Sequence, residues 1–207
     1  MSAASRKPRY AVFDVGNVLI EWNPRFLFEK LIADRERLDW FMANVWDGDL
    51  NLELDRGLPF ADGIARLVAR HPMWEAEIRA YDTRWDETAP RAITANVALL
   101  DELRALGVPR YAITNFSREK FAATRVRFRF LDTFDGLVVS AHEKLVKPDP
   151  AIFHLLLDRY GLEPQEGIFI DDSARNVDAA ARLGFHTVHV QPGVDVRQAV
   201  ERLGLIS

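Results

Sequence analysis

Residues 10–19 read YAVFDVGNVL: an apolar run from Tyr10 to Phe13, then Asp14, then Gly16. An apolar run that is continuous rather than alternating fits a strand covered on both faces, as strands of parallel α/β sheets are. The glycine allows a sharp turn just beyond the run, so Asp14 is expected at the carboxyl end of that strand. Apolar runs of similar length recur at residues 111–113, 137–139, 168–170 and 187–190, most of them bounded by glycine or proline.

Helical patterns lie between these runs. Leu99, Leu100, Leu103 and Leu106 share a face in the segment after Thr94, and Gly107 and Pro109 supply its stop. A second helix is expected to take Asp149 as N-cap and Pro150 at its first position, bury Phe153, Leu156 and Tyr160, and end at Gly161. A third spans about 173–184. This alternation predicts an α/β fold: a doubly wound, mainly parallel, Rossmann-like sheet with right-handed crossovers. Residues 22–91 carry successive helical patterns with no convincing strand, which predicts a small helical cap inserted after the first strand, on a core of residues 1–21 and 92–207. That segment holds all five tryptophans, Trp22, Trp40, Trp46, Trp74 and Trp85. They read as filling for a compact helical core, except Trp22, which stands where the chain leaves the sheet and is placed to flank a pocket.

Composition narrows the function classes. The 207 residues, 48% hydrophobic and 28% charged, suit one globular domain with an insertion. A formal charge of −4 gives no general pull toward nucleic acid or an anionic membrane, so small molecules are the expected partners. Arg118, Lys120, Arg125, Arg127 and Arg129 do cluster, but they read as a solvated face, with Phe121, Phe128 and Phe130 as core anchors. The five histidines, His71, His142, His154, His186 and His189, show no metal or triad spacing. The absence of cysteine excludes disulfides, thiolate catalysis and cysteine metal sites. The opening MSAASRKPRY lacks a signal-peptide core and no stretch reaches membrane-spanning length, so a cytoplasmic location is expected.

Three polar signals follow apolar runs in the same way: Asp14, the pair Thr114 and Asn115, and the pair Asp171 and Asp172. Open parallel sheets bind ligands outside the carboxyl ends of their strands, so these residues are expected to share one crevice. Lys147, in KLVKPDP, precedes the Pro150 helix and is placed to reach the same edge. Three carboxylates packed together repel one another and stay ionised only beside cations. Oxygen-only ligands favour Mg²⁺. The metal, the Lys147 ammonium, the Thr114 hydroxyl and the Asn115 amide together make a cradle for phosphoryl oxygens.

The set FDVGNVL, ITN, KLVKPDP and IDDSARN, in this order, resembles the haloacid dehalogenase-like hydrolase superfamily along nearly the whole chain. The resemblance implies that Asp14 is a nucleophile that becomes phosphorylated. It implies that Asp172 binds metal directly with the backbone carbonyl of Gly16, that Asp171 supports or acts through water, and that Thr114, Asn115 and Lys147 hold phosphate. Ser173, Asn176 and Asp178 are supporting candidates; Ser173 is equally an N-cap, and Asp178 either a surface carboxylate or one that orients the lysine.

Most phosphatases of this superfamily carry a second aspartate two residues after the nucleophile as general acid and base, where this chain has Gly16. The FDVGNVL form is similar to a subgroup of sugar-phosphate phosphatases related to glucose-1-phosphate phosphatase. The implied activity is Mg-dependent hydrolysis of small phosphate monoesters. Either the leaving group is a good one, such as a sugar 1-phosphate, or the cap lends an acid from among Asp47, Asp49, Glu53 and Asp55, residues that otherwise read as a solvated helix face. The alternatives are a metal-independent 2-haloacid dehalogenase and a binding or regulatory member of the same fold.

Overall fold

The computed structural model describes residues 7–46 and 48–207; the first six residues of the opening stretch read for a secretion signal, and the acid candidate Asp47, lie outside them. Five strands form at the expected runs: β1 (Tyr10–Phe13), β2 (Arg110–Thr114), β3 (Gly136–Val139), β4 (Gly167–Asp171) and β5 (His186–His189). They make one parallel sheet in the order β3-β2-β1-β4-β5. The chain moves outward from β1 through β2 to β3, then returns to the other side of β1 for β4 and β5. The direction of winding therefore reverses between β1 and β4, where open α/β sheets form their ligand crevice.

Pleating divides the strand residues between two cores. Tyr10, Val12, Tyr111, Ile113, Val138 and Phe169 face one side, covered by α9 (Pro150–Tyr160) and α10 (Ala174–Arg182). Ala11, Phe13, Ile168, Ile170 and Val188 face the other, covered by α6 (Thr94–Ala105) and α11 (Val196–Arg202). Burial on both faces is why the runs are continuously apolar.

The caps behave largely as their chemistry dictates. Asp149 accepts a hydrogen bond from the Ala151 N–H with Pro150 at the first turn, and Gly161 closes α9 in the left-handed conformation. Ser173 occupies the N-cap position of α10 without a side-chain cap bond. Leu106 departs from expectation: α6 ends at Ala105, so Leu106 lies past the last covered turn and is 57% exposed.

Among the described residues between β1 and α6 come five α-helices, α1 (Arg25–Leu31), α2 (Arg35–Asn44), α3 (Gly48–Asp55), α4 (Phe60–Arg70) and α5 (Glu75–Thr83), and two short 3₁₀ helices, Pro72–Trp74 and Trp85–Thr88, with no strand there. The segment leaves and rejoins the sheet side by side, where Ile20 bridges Ala92 and the Ile93 N–H donates to the Leu19 carbonyl. Trp74 and Trp85 are buried and Trp46 partly so, but Trp40 is half exposed and stacks on Trp74. After β2 comes α7 (Arg118–Arg127), and α8 (Ser140–Glu143) follows β3. The basic side chains around α7 bind Asp82, Asp132 and backbone carbonyls, while Phe121 is buried. No described helix is long and apolar enough to cross a membrane.

Candidate active site

Sheet register brings the distant acids together. Phe13 pairs with Ile170, and the Asp14 N–H donates to the Ile170 carbonyl at 2.9 Å, so Asp14 leaves β1 level with the end of β4. Carboxylate oxygens of Asp14, Asp171 and Asp172 all lie within 4.8 Å of one another. The Lys147 ammonium stands between two of them, 2.9 Å from Asp14 Oδ1 and 2.7 Å from Asp171 Oδ2, and it is 2% exposed.

The three acids have different surroundings. Asp171 is fully buried; besides Lys147 it accepts from the Ser173 N–H and, through both oxygens, from the Asn176 amide. Asp172 opens to the pocket, and one of its oxygens accepts from the Asn17 amide. Asp14 receives both the Val15 N–H and the Lys147 ammonium on Oδ1, which leaves Oδ2 without a hydrogen bond among the described residues. Burial pushes the Asp14 carboxyl up to about 7, against the pull of Lys147 and with the added repulsion of Asp171 and Asp172. Burial likewise raises Asp172. One ammonium thus leaves the cluster with excess negative charge, and an all-oxygen donor set of this kind fits a hard divalent cation.

Lys147 owes its place to Asn115. The Asn115 Oδ1 accepts from the Lys147 N–H at 2.8 Å, and its Nδ2 donates to the Lys147 carbonyl at 3.0 Å. The Asn115 side-chain amide is therefore engaged with the lysine backbone. Thr114, one residue earlier at the end of β2, has a buried hydroxyl with no hydrogen-bond partner among the described residues. An unpaired buried hydroxyl is costly unless a ligand atom completes it. Of the supporting candidates, Asn176 holds Asp171, Ser173 holds it through its backbone, and Asp178 points outward to solvent.

A cavity of about 180 Å³ opens over Asp14, Gly16, Asn115 and Asp172. Trp22 flanks it as its position promised, and Trp85, Phe60 and Tyr81 line it from the inserted helices. Two residues the sequence did not single out for the site matter here. Asn17, in the left-handed conformation at φ 52°, ties Asp172 to the chain leaving β1, since its Oδ1 also accepts from the Trp22 N–H. Asn51 lines the cavity from α3. Its signal was present in FDVGNVL only for Asn17; nothing local marks Asn51.

Of the acids offered by the insertion, Asp49 and Glu53 are exposed, and Glu53 pairs with Arg66. Asp55 alone of the described three lines the cavity. Burial, reinforced by the charge of Asp14 and opposed by Lys147, raises its carboxyl to about 7.

Comparison with known proteins agrees with this geometry. A sequence profile described as haloacid dehalogenase-like hydrolase matches residues 8–184. The chain is 29% identical over 181 residues to a sesquiterpene phosphatase of Aspergillus oryzae, spanning 87% of this chain and 88% of that protein. It is 26% identical over 162 residues to a phosphoglycolate phosphatase of Pectobacterium atrosepticum, spanning 76% and 67% of the two. The fold of an enzyme from Bacteroides thetaiotaomicron, solved with magnesium and inorganic phosphate, superposes with a TM-score of 0.71 at 21% identity over 93% of this chain and 98% of that one. With four motifs in order along one sheet edge and a profile match from the first strand through α10, this chain belongs to the haloacid dehalogenase-like hydrolases.

Proposed function

We propose that the protein is a magnesium-dependent phosphomonoesterase acting through an aspartyl phosphate on Asp14. The observation that supports this most directly is the cluster of three carboxylates, two of them bonded to a single buried ammonium, at a cavity lined by Asp14 and Asp172. Asp14, Asp172 and the Gly16 carbonyl would hold Mg²⁺, with Asp171 in support. When bound, the cation supplies positive charge that keeps Asp14 ionised and stabilises the phosphoryl oxygens.

The chain's own residues do the rest. Asp14 Oδ2 attacks phosphorus in line with the departing oxygen, and water afterwards cleaves the acyl phosphate. Lys147, held by Asn115 and Asp171, neutralises charge on Asp14 and on the transferring group. The Thr114 hydroxyl and backbone N–H groups at the end of β2 bind a phosphoryl oxygen. The inserted helices, residues 22–91, act as a cap that excludes bulk water and selects the alcohol. Their aromatic lining, Trp22, Phe60, Tyr81 and Trp85, favours a compact leaving group with an apolar face. The sesquiterpene phosphatase among the relatives points the same way. Metal-free halide displacement fits less well, because it needs no acidic cluster and Asp171 and Asp172 would repel a haloacid carboxylate.

The test is phosphate release from a panel of terpenyl, sugar and glycolate phosphates, with magnesium or with EDTA, beside Asp14→Asn. Wild type is expected to need the metal, and Asp14→Asn to lose on the order of 10⁴-fold in kcat while staying folded. Undiminished turnover by Asp14→Asn, or halide release from 2-chloropropionate without metal, would overturn the proposal.

A further inference from the structure

A glycine at position 16 can neither protonate a leaving alkoxide nor deprotonate water, so the chemistry proposed for Asp14 lacks a proton carrier on β1. Among the described residues, the titratable side chains lining the cavity are Asp14, Asp172, Asp55 and Tyr81. Asp14 is the attacking group and Asp172 faces the cation. Tyr81 is buried, its phenol is pushed well above the ordinary range, and its hydroxyl donates to Asn51 Oδ1 at 3.0 Å. Asp55 remains.

Asp55 is held as a working group would be. It ends α3, and Asn51 one turn earlier donates to its Oδ2 at 3.3 Å, itself fixed by Tyr81. This leaves Oδ1 without a hydrogen bond among the described residues. Its backbone carbonyl is anchored to the sheet side of the cavity. Ser140 Oγ donates to the Asp55 carbonyl at 2.6 Å and accepts from the Phe116 N–H at 2.9 Å. Gly57 follows at φ 102°, where a Cβ would come within 3.0 Å of the Ala141 carbonyl oxygen, so the turn after Asp55 rests directly on α8. A carboxyl raised to about 7 by burial and by Asp14 is protonated in substantial part near neutrality, although Lys147 pulls it down.

We propose that Asp55, supplied by the inserted helices, is the catalytic acid and base that replaces the residue absent at position 16. In the first half-reaction Asp14 forms its bond to phosphorus, the bond from phosphorus to the alcohol oxygen breaks, and the alkoxide takes the Asp55 proton. In the second, water gives a proton to the Asp55 carboxylate while its oxygen bonds to phosphorus. The bond to Asp14 breaks, inorganic phosphate leaves, and both carboxyl groups return to their starting forms. This inference rests on Asp14 being the nucleophile and fails separately from it.

The test compares Asp55→Asn and Asp14→Asn on two substrates with magnesium present: a primary alkyl phosphate, whose leaving group needs a proton, and 4-nitrophenyl phosphate, whose leaving group does not. Asp55→Asn keeps the shape and can still accept from Asn51. It is expected to lose about 10²- to 10⁴-fold in kcat on the alkyl ester. On the nitrophenyl ester it should still release one nitrophenolate per site in a burst, followed by slow turnover as the acyl phosphate waits for a base. Asp14→Asn should show no burst on either substrate. A Cβ at Gly16 meets nothing within 4 Å, so Gly16→Asp placed in the Asp55→Asn background should recover at least tenfold on the alkyl ester. Turnover of the alkyl ester by Asp55→Asn within threefold of wild type overturns the assignment. So does equal loss on both substrates with no burst and no recovery by Gly16→Asp, which would mark Asp55 as structural only. A burst in Asp14→Asn would instead overturn the reading of the nucleophile.

Discussion

Replacing Lys147 by methionine removes one charge and little volume, and the consequence can be worked from two distances. The ammonium lies 2.9 Å from Asp14 and 2.7 Å from Asp171, with all three side chains nearly or fully out of solvent. At an effective dielectric of about 20, each contact is worth about 6 kcal/mol of gross attraction, most of it offset by the cost of taking the charges out of water. Breaking such a group by deleting one partner leaves uncompensated buried charge, and losses of about 3–5 kcal/mol are typical. In a chain of this size that is a fall in Tm of about 6–20 °C. The assay is urea unfolding of Lys147→Met and wild type in EDTA at pH 8 and pH 5. Removing the ammonium raises Asp14 further above its ordinary range, so its penalty is complete above the folded-state value and disappears as pH drops toward 4, where folded and unfolded chains are protonated alike. The gap between variant and wild type should therefore narrow at pH 5. Adding Asp171→Asn to Lys147→Met should restore at least half of the loss at pH 8. A difference below about 1 kcal/mol at pH 8, or one that is the same at both pH values, would refute the reasoning that Lys147 is held by charge compensation.

Asp14 and Asp55 are both raised to about 7 and Asp172 is raised as well, so the folded chain binds protons more tightly than the unfolded one between about pH 4 and 7. In EDTA, thermal stability should fall as pH rises through that window. Added Mg²⁺ should raise Tm more at pH 8 than at pH 5, and an equal or larger shift at pH 5 would contradict the placement of the cation among ionised carboxylates. Gly167→Ala would set a Cβ 2.5 Å from the buried Tyr10 ring, whose hydroxyl is tied to the Glu163 carbonyl. It should cost about 1–3 kcal/mol by urea titration, whereas Gly16→Ala, with nothing within 4 Å, should cost much less.

Much of this protein is local and was readable as such. Continuous apolar runs announced strands buried on both faces, and Asp149 followed by Pro150 announced a helix start, because dihedral preference and backbone capping are settled within a few residues. Asp14, Thr114, Asp171 and Asp172 declared their place at strand ends in the same way. Other features depended on what lies across the fold. Leu106 matched the helical period yet faces solvent, since period cannot say where a neighbour stops. Asn115 carried the right amide for a phosphate, but the Lys147 backbone came within its reach. Asp49, Glu53 and Asp55 share one short helix and one chemistry. The docking of α3 between α4 and α8 turns the last of them into the cavity and leaves the other two on the exposed side. The sequence by itself determined the element types, the sheet class and the identity of the charged residues at strand ends. Tertiary structure decided how the charges expected at that shared edge pair, with Lys147 between Asp14 and Asp171 and Asn17 on Asp172, and which acid of α3 reaches the cavity, because such contacts arise from strand register and packing, which no local pattern encodes.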